Sequence, residues 1–274
     1  MVKKENNQNR MMLIAGFVIL LFILLFLLLP FIPLIVWSFT KQWPWPFLFP
    51  EEYSMDAWRY IFSPSGRGIE GVFNSVVIAF FTLSINLLLG LPVARTFAHQ
   101  HFFGKTGLFI FFLSPLFIPS IASMIGMYNL SIQLDFINVY IRVTIAHVLI
   151  TIPYFIATVW YQYRLMGTDI LEAGKSLGAK GWQIFLWIEL PQLLPALSLA
   201  SVFVFIISLS QYLPTWIMSG GTLLTLPVIM FPFASSGNAS IVAAYSLLFF
   251  VPVICMVLTH FYLIKMSRER NALD

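Results

Sequence analysis

Charge is what this sequence has least of. Only 9% of its 274 residues are Asp, Glu, Lys or Arg, against roughly 25% in a soluble domain. Between Gln192 and Ile264 there is none at all. A chain so poor in charge cannot present a hydrated surface all round, which excludes an ordinary soluble fold. The scarcity also argues against a proton-coupled carrier, which places carboxylates or histidines inside the membrane. A sodium site built from carbonyls and hydroxyls stays open. Cysteine is nearly absent: the single Cys255 excludes an intramolecular disulfide and any multi-cysteine metal site. Lying in an apolar run, it reads as a small membrane-facing hydrophobe. No G-x-x-x-x-G-K-[ST] phosphate loop occurs. Nor is there an internal repeat, a low-complexity tract, or a polar segment long enough to bury a core of its own.

What is present is apolar. Hydrophobic residues make up 59% of the chain and aromatics 17%, with a mean hydropathy of +0.89. A membrane span needs about 20 apolar residues. Six runs qualify: 13–36, 72–94, 107–130, 143–161, 194–216 and 241–264. The expected fold is therefore an all-α membrane protein of six transmembrane helices, with residues 1–274 forming one membrane domain. The first run follows MVKKENNQNR but is too long for a signal-peptide core, and no A-x-A-like site follows it. It is expected to remain as a first span.

Basic residues orient the spans. Lys3, Lys4, Arg10, Arg95, Lys105, Arg164, Lys175, Lys180, Lys265, Arg268 and Arg270 fall on one side; Lys41, Arg59, Arg67 and Arg142 fall on the other. The positive-inside rule places the richer side, with both termini and the 162–193 loop, in the cytoplasm. The same rule explains the net charge of +4 and pI near 9.2 without a nucleic-acid partner. Trp43-Pro44-Trp45-Pro46-Phe47 in the first outer loop has the composition of an interfacial anchor, and 53–62 is expected to form a short surface helix. The last outer loop, 217–240, carries no formal charge. Its Gly220-Gly221, Pro227 and Pro232 point to irregular, partly inserted backbone, which survives at membrane depth only when buried in protein or lining a water path. Pro115, Pro119, Pro153 and Pro252 lie inside spans, where each favours a kink. Such kinks fit helices around a cavity, though proline is also simply common in transmembrane helices.

The 162–193 loop is a polar island. Residues 169–191 read DILEAGKSLGAKGWQIFLWIELP. Asp169 is placed to N-cap a helix, with Glu172 three residues on. A first half helix is expected over 170–177, with Ile170, Ala173 and Leu177 on one face. Gly178 suits the left-handed position that ends a helix. A second half over 181–190 sets Trp182, Phe185 and Glu189 on one face, and Pro191 closes it. From spacing alone this hairpin either grips a partner protein or merely connects two spans.

The island resembles the "EAA" loop of permease subunits in binding-protein-dependent ABC importers, whose pattern is E-A-A, three residues, G, nine residues, I-x-L-P. This chain has Glu172-Ala173-Gly174, then Gly178, then Ile188-Glu189-Leu190-Pro191, at matching spacing and between the fourth and fifth expected spans. Gly174 departs from the usual alanine but keeps the small size. Asn74-Ser75, Gly90-Leu91-Pro92-Val93-Ala94 and Thr225-Leu226-Pro227 look like the same family. The resemblance implies a prokaryotic cell-membrane permease subunit, not itself an enzyme. ATP and magnesium would belong to a separate ATP-binding subunit, present in two copies. A second and different permease and an extracytoplasmic substrate-binding protein would complete the assembly within membrane lipid. It implies that Glu172 is the acidic contact with the ATPase, Ala173 and Gly174 the small contact face, and Gly178 the turn, with Ile188, Leu190 and Pro191 completing the coupling motif. Thr225-Leu226-Pro227 and the short C-terminus look more like the polyamine, thiamine, ferric-iron and oxyanion permeases than the sugar permeases, with the spermidine/putrescine type most similar. The outer loops, with acids Glu51, Glu52, Asp56, Glu70 and Asp135 against four basic residues, favour neither a cationic nor an anionic solute.

Neutral polar residues collect within the spans: Ser84 and Asn86, Asn129 and Ser131, and Ser208, Ser210, Gln211 and Tyr212. Asn86 and 208–212 are candidate pore lining; hydrogen bonding between helices is the competing role. His147 and His260 lie within spans and are open to a structural or a proton-relay role. His99-Gln100-His101 has a spacing that could hold a metal, but no third ligand stands near, so no metal site is expected. A membrane hydrolase would need paired acids or a Ser/His pair at a membrane face. Asp169 and Glu172 are the only close inner acids before Glu189, and they read as cap and contact.

Overall fold

The computed structural model describes the backbone of residues 2–271 apart from 44–46, 48, 119 and 135; side chains of 2–12, 120, 121, 124, 263 and 266–271 are also outside the description. Most of the Trp43–Phe47 anchor, Pro119 and Asp135 therefore lie outside the described residues. Among the described residues the regular structure is helical but for one short hairpin, and the chain divides into two compact units, 1–66 with 233–247, and 67–232 with 248–274.

In the first unit, α1 (Val2–Leu28) and α2 (Phe31–Ser38) are separated where Pro30 starts α2, and from Leu13 onward they form one apolar stretch. Strands β1 (Thr40–Gln42) and β2 (Glu52–Tyr53) pair antiparallel with Thr40 opposite Tyr53 and Gln42 opposite Glu52. An exposed Lys41–Glu52 ion pair at 3.3 Å adds little to them. Helix α3 (Asp56–Phe62) is the expected short helix after the anchor. The Tyr245 hydroxyl donates to the Gly66 carbonyl, and Phe233 lies between the rings of Tyr60 and Tyr245.

The second unit holds α4 (Gly68–Ile85), α5 (Leu91–His99), α6 (Lys105–Leu113), α7 (Ser120–Gln133), α8 (Val139–Met166), α9 (Asp169–Ser176), α10 (Gly181–Ile184), α11 (Leu190–Leu209) and α12 (Leu213–Ser219), with most of α13 (Leu226–Ser235) and α14 (Ala239–Asn271). Helix α8 is central. Phe155, Ile156, Val159 and Tyr163 pack with Leu83, Ala94, Leu193, Leu197, Ala200 and Val204 from α4, α5 and α11. Toward its N-terminus, Val143 and Ala146 join Ile78, Met127, Met218 and Leu223. Many large apolar side chains, such as Phe80, Phe81 and Leu88, are nonetheless exposed, as expected where lipid rather than water is the solvent.

Among the described residues five helical stretches are long and apolar enough to cross a membrane: Leu13–Ser38, Gly68–His99, Val139–Met166, Gly181–Leu209 and Ala239–Tyr262. They cover five of the six expected spans, with different ends. The third, 107–130, is not one helix but two, α6 of 9 residues and α7 of 14, separated by a 3₁₀ turn at Ser114–Leu116. Pro115 has no N–H to give the Phe111 carbonyl and its ring crowds that carbonyl, so the helix ends. At about 1.5 Å per residue neither piece alone spans a hydrocarbon core of about 30 Å. The fifth begins at Gly181, well before the expected 194, and stops at Leu209; α12 follows a break at 210–212.

Two wide π turns interrupt otherwise continuous helices. Residues 86–90 join α4 to α5, and 185–189 join α10 to α11. Each stands immediately before a Leu-Pro pair, Leu91-Pro92 and Leu190-Pro191. The proline ring displaces the carbonyl four residues back, Leu88 or Trp187, and the ladder widens to accommodate it.

Candidate functional site

The polar island folds as a helical hairpin. Helix α8 ends at Gly167, α9 and α10 form the two arms, and Gly178 at φ 81° makes the turn. Around the turn the Leu177, Gly178 and Ala179 amides donate to the carbonyls of Ala173, Lys175 and Gly174, so the end of α9 satisfies its own acceptors. Gly174 is where the arms touch. A Cβ there would stand 3.0 Å from Ile188 Cδ1 and 3.5 Å from Ile184, which accounts for a residue even smaller than alanine at this motif position.

The capping differs from expectation. Asp169 lies inside the first turn of α9; Thr168 holds the N-cap position without a side-chain bond. The side-chain cap belongs to the other arm, where the Lys180 amide donates to Gln183 Oε1 at 2.7 Å. The inward face of α9 is Leu171 and Gly174, whereas Ile170 and Leu177 are exposed with Glu172 and Ala173. On the second arm Trp182 and Trp187 are exposed. The hairpin therefore exposes several large apolar side chains together with the carboxylates of Asp169 and Glu172. Among the described residues Glu172 makes no ion pair. Of the other coupling-motif residues, Ile188, Leu190 and Pro191 are half-buried.

Glu189 departs furthest from the sequence reading. Expected on a face with Trp182 and Phe185, it is fully buried while Trp182 is exposed. The turn at 185–189 inserts an extra residue into the helical repeat, which rotates Glu189 inward. There it forms an ion pair with Arg95 of α5 and accepts the Tyr163 hydroxyl of α8 at 3.1 Å. His99 of α5 packs edge-on against the Tyr163 ring, with centroids 5.2 Å apart. A cleft of about 430 Å³ opens beside the pair, with Arg95, His99, Glu172, Lys175 and Glu189 among its walls. Composition and spacing marked neither Arg95 nor Tyr163; the only signal was an acid two residues before a proline inside an apolar run. Among the described residues no three His, Cys, Asp or Glu side chains group as a metal site requires.

The candidate pore residues divide. Asn86 is buried and donates to Thr151 Oγ1 at 2.9 Å and to the Thr82 carbonyl. Ser208 is buried against His147 Nδ1 at 2.8 Å. Both thus make interhelical hydrogen bonds. Ser210, Gln211 and Tyr212 occupy the break between α11 and α12, with Ser210 exposed and Tyr212 stacked on Phe231 at 4.1 Å.

Two of the family-like patterns meet in space. Asn74 Nδ2 donates to the Leu224 carbonyl at 2.8 Å, and the Leu226 amide donates to Ser75 Oγ at 2.9 Å. The Asn-Ser pair of α4 thereby holds the uncharged segment that precedes α13, giving irregular backbone the partners it needs at membrane depth.

No family model matches the chain. It is 26% identical over 213 residues to the arabinooligosaccharide transport permease AraQ of Halalkalibacterium halodurans, covering 76% of this chain and 75% of that protein. It is 24% identical over 253 residues to the spermidine/putrescine transport permease PotC of Escherichia coli, covering 91% and 93%. A match at 28% to a probable ABC transporter permease of Sinorhizobium fredii covers 64% of this chain and 66% of that one. Among solved structures, a chain of a bacterial ABC transporter that imports the polysaccharide alginate superposes with a TM-score of 0.63 at 16% identity, over 92% of this chain and 96% of that one. The MetNI methionine ABC transporter in an inward-facing form gives 0.58 at 19%, over 73% and 95%. The fold is that of these importer chains, and the relatives are ABC transporter permeases with polyamine and sugar transport both among them. The chain is a multi-pass membrane protein similar to these permeases.

Proposed function

We propose that the chain is the membrane-spanning subunit of an ATP-driven importer in a prokaryotic cell membrane, forming half of the translocation pathway with a second, different permease. The α9–α10 hairpin carries this reading. It is a compact, internally capped element that leaves Ile170, Leu177, Trp182 and Trp187 exposed along with Glu172. Exposed apolar patches rimmed by charge are interaction sites, and this one stands at the end of the two helices most deeply embedded in the core. ATP and magnesium belong to two copies of a separate ATP-binding subunit, which would hold the hairpins and draw them together. An extracytoplasmic binding protein delivers the solute. For that solute we favour a polyamine. The match to PotC runs through 91% of the chain, against 76% for the arabinooligosaccharide permease.

The test is purification of the tagged protein from its native membrane with mass spectrometry of what accompanies it. A phosphate-loop ATPase and a second multi-span permease are expected. A chain that purifies alone, even after crosslinking at Lys175, would refute the reading and reopen a sodium-coupled carrier.

The six-span topology, with the α6–α7 pair crossing as a broken span and both termini cytoplasmic, makes its own prediction. Reporter fusions at Gly66 and Lys175 are expected to report opposite sides of the membrane. The same side for both would remove the orientation on which the hairpin's role depends.

A further inference from the structure

Glu189 is an expensive residue where it stands. Its side chain is wholly buried, whereas that of its partner Arg95 is 44% exposed. Burying a carboxylate costs several kcal/mol unless it is paired and its remaining lone pairs are used. Both conditions hold, since Arg95 meets one oxygen and Tyr163 the other. Apolar residues of similar size often serve stability as well as or better than a buried pair, so an ion pair in such a place is best understood as fixing a register.

The register it fixes is specific. The wide turn at 86–90 and Pro92 make one bend, and that at 185–189 and Pro191 make another. Such turns are points where a helix changes direction. Arg95 lies three residues beyond the first proline, and Glu189 is the last residue of the second turn. The pair ties the segment beyond one bend to the middle of the other. Tyr163 adds α8, and Gln162 Nε2 donates to the Gln192 carbonyl at 3.1 Å just past the second bend.

We propose that Arg95 and Glu189 are positioning residues for energy coupling. Their ion pair makes α5 and the α10–α11 bend move as one body, so that displacement of the hairpin reaches two membrane-crossing helices together. The proposal rests on the importer reading and extends it to residues outside the coupling motif.

Spin labels at Gln100, which caps α5, and Leu186, inside the second turn, test it in the full chain with Cys255 replaced by serine. Both positions are exposed. The distance is measured in the complex purified with whatever ATPase accompanies it, without nucleotide and with Mg-ATP and vanadate. One narrow distance in both states is expected for the parent and for the conservative Arg95→Lys. Glu189→Gln keeps shape and hydrogen bonding but removes the charge. It is expected to retain the ATPase yet show a second distance, rising from below detection to about a tenth of the population or more. Arg95→Gln gives the same outcome from the half-exposed side and guards against misfolding of the buried variant. A single parent-like distance in both glutamine variants, or a second distance in the parent itself, would overturn the proposal. Loss of the ATPase from the parent would refute the importer reading instead, and the nucleotide-free distances would still decide whether the pair locks the two bends.

Discussion

Glu172→Lys is expected to insert and accumulate like the parent and to recover at least about tenfold less ATP-binding subunit, equivalent to about 1.4 kcal/mol or more. The side chain is exposed at the rim of the cleft that Arg95, His99 and Lys175 also line, with no ion pair among the described residues. Charge changes at such positions usually alter stability by less than about 0.5 kcal/mol, so the fold has no reason to respond. An interface does. Removing one partner from a desolvated, hydrogen-bonded charge pair costs about 2–5 kcal/mol, much of it from the group left unpaired. Reversal of sign adds repulsion, and Lys175 already stands one turn away on the same arm. Quantitative recovery of the ATPase with membrane-inserted E172K, measured against Glu172→Gln as an intermediate, checks this. Unchanged recovery would mean that the carboxylate faces no cationic partner and would break the link between motif and coupling.

The hairpin could be read from sequence because each of its features is local. A run of charge between two apolar stretches and Gly178 at a turn declare themselves within a few residues, and the structure places them at those points; Pro191, expected to close the second arm, lies instead in the first turn of α11, and the helix runs on through it from Gly181 to Leu209. The parts that escaped are those where the backbone leaves its ideal period. A 3.6-residue repeat puts Glu189 beside Trp182, but the π turn adds a residue and sends the two to opposite environments. Hydropathy summed over 107–130 records enough apolar length for a span and says nothing about whether the helix is continuous across Pro115. Arg95 served only to orient the chain, since its partner is 94 residues away and one sequence carries no sign of their contact. The pairing of Asn74 and Ser75 with 224–226 is of the same kind: both segments looked like family patterns, and only the fold shows that one holds the other.

His147→Ala is expected to lower the stability of the assembled protein by about 2–4 kcal/mol, combining a cavity with the buried Ser208 hydroxyl left without its partner. The imidazole is buried and bridges three helices: Nδ1 meets Ser208 Oγ of α11 at 2.8 Å and Nε2 meets Thr215 Oγ1 of α12 at 2.9 Å. Thr215 gives its only hydroxyl proton to the Gln211 carbonyl at 2.7 Å, so its oxygen must accept. The network therefore assigns the ring proton to Nε2 and makes Nδ1 the acceptor of the Ser208 hydroxyl. A neutral ring with both nitrogens committed is a cross-brace, and a proton relay would need one of them to be released. The two roles separate experimentally. A brace predicts a lower thermal midpoint for H147A in nanodiscs, partial recovery in His147→Gln, which can still donate and accept, and transport that falls only in proportion to the assembled protein remaining. A relay predicts normal stability with transport lost outright and sensitive to collapse of the proton gradient. That second pattern would overturn the brace and, with it, the argument that this membrane region carries no ion-coupling group.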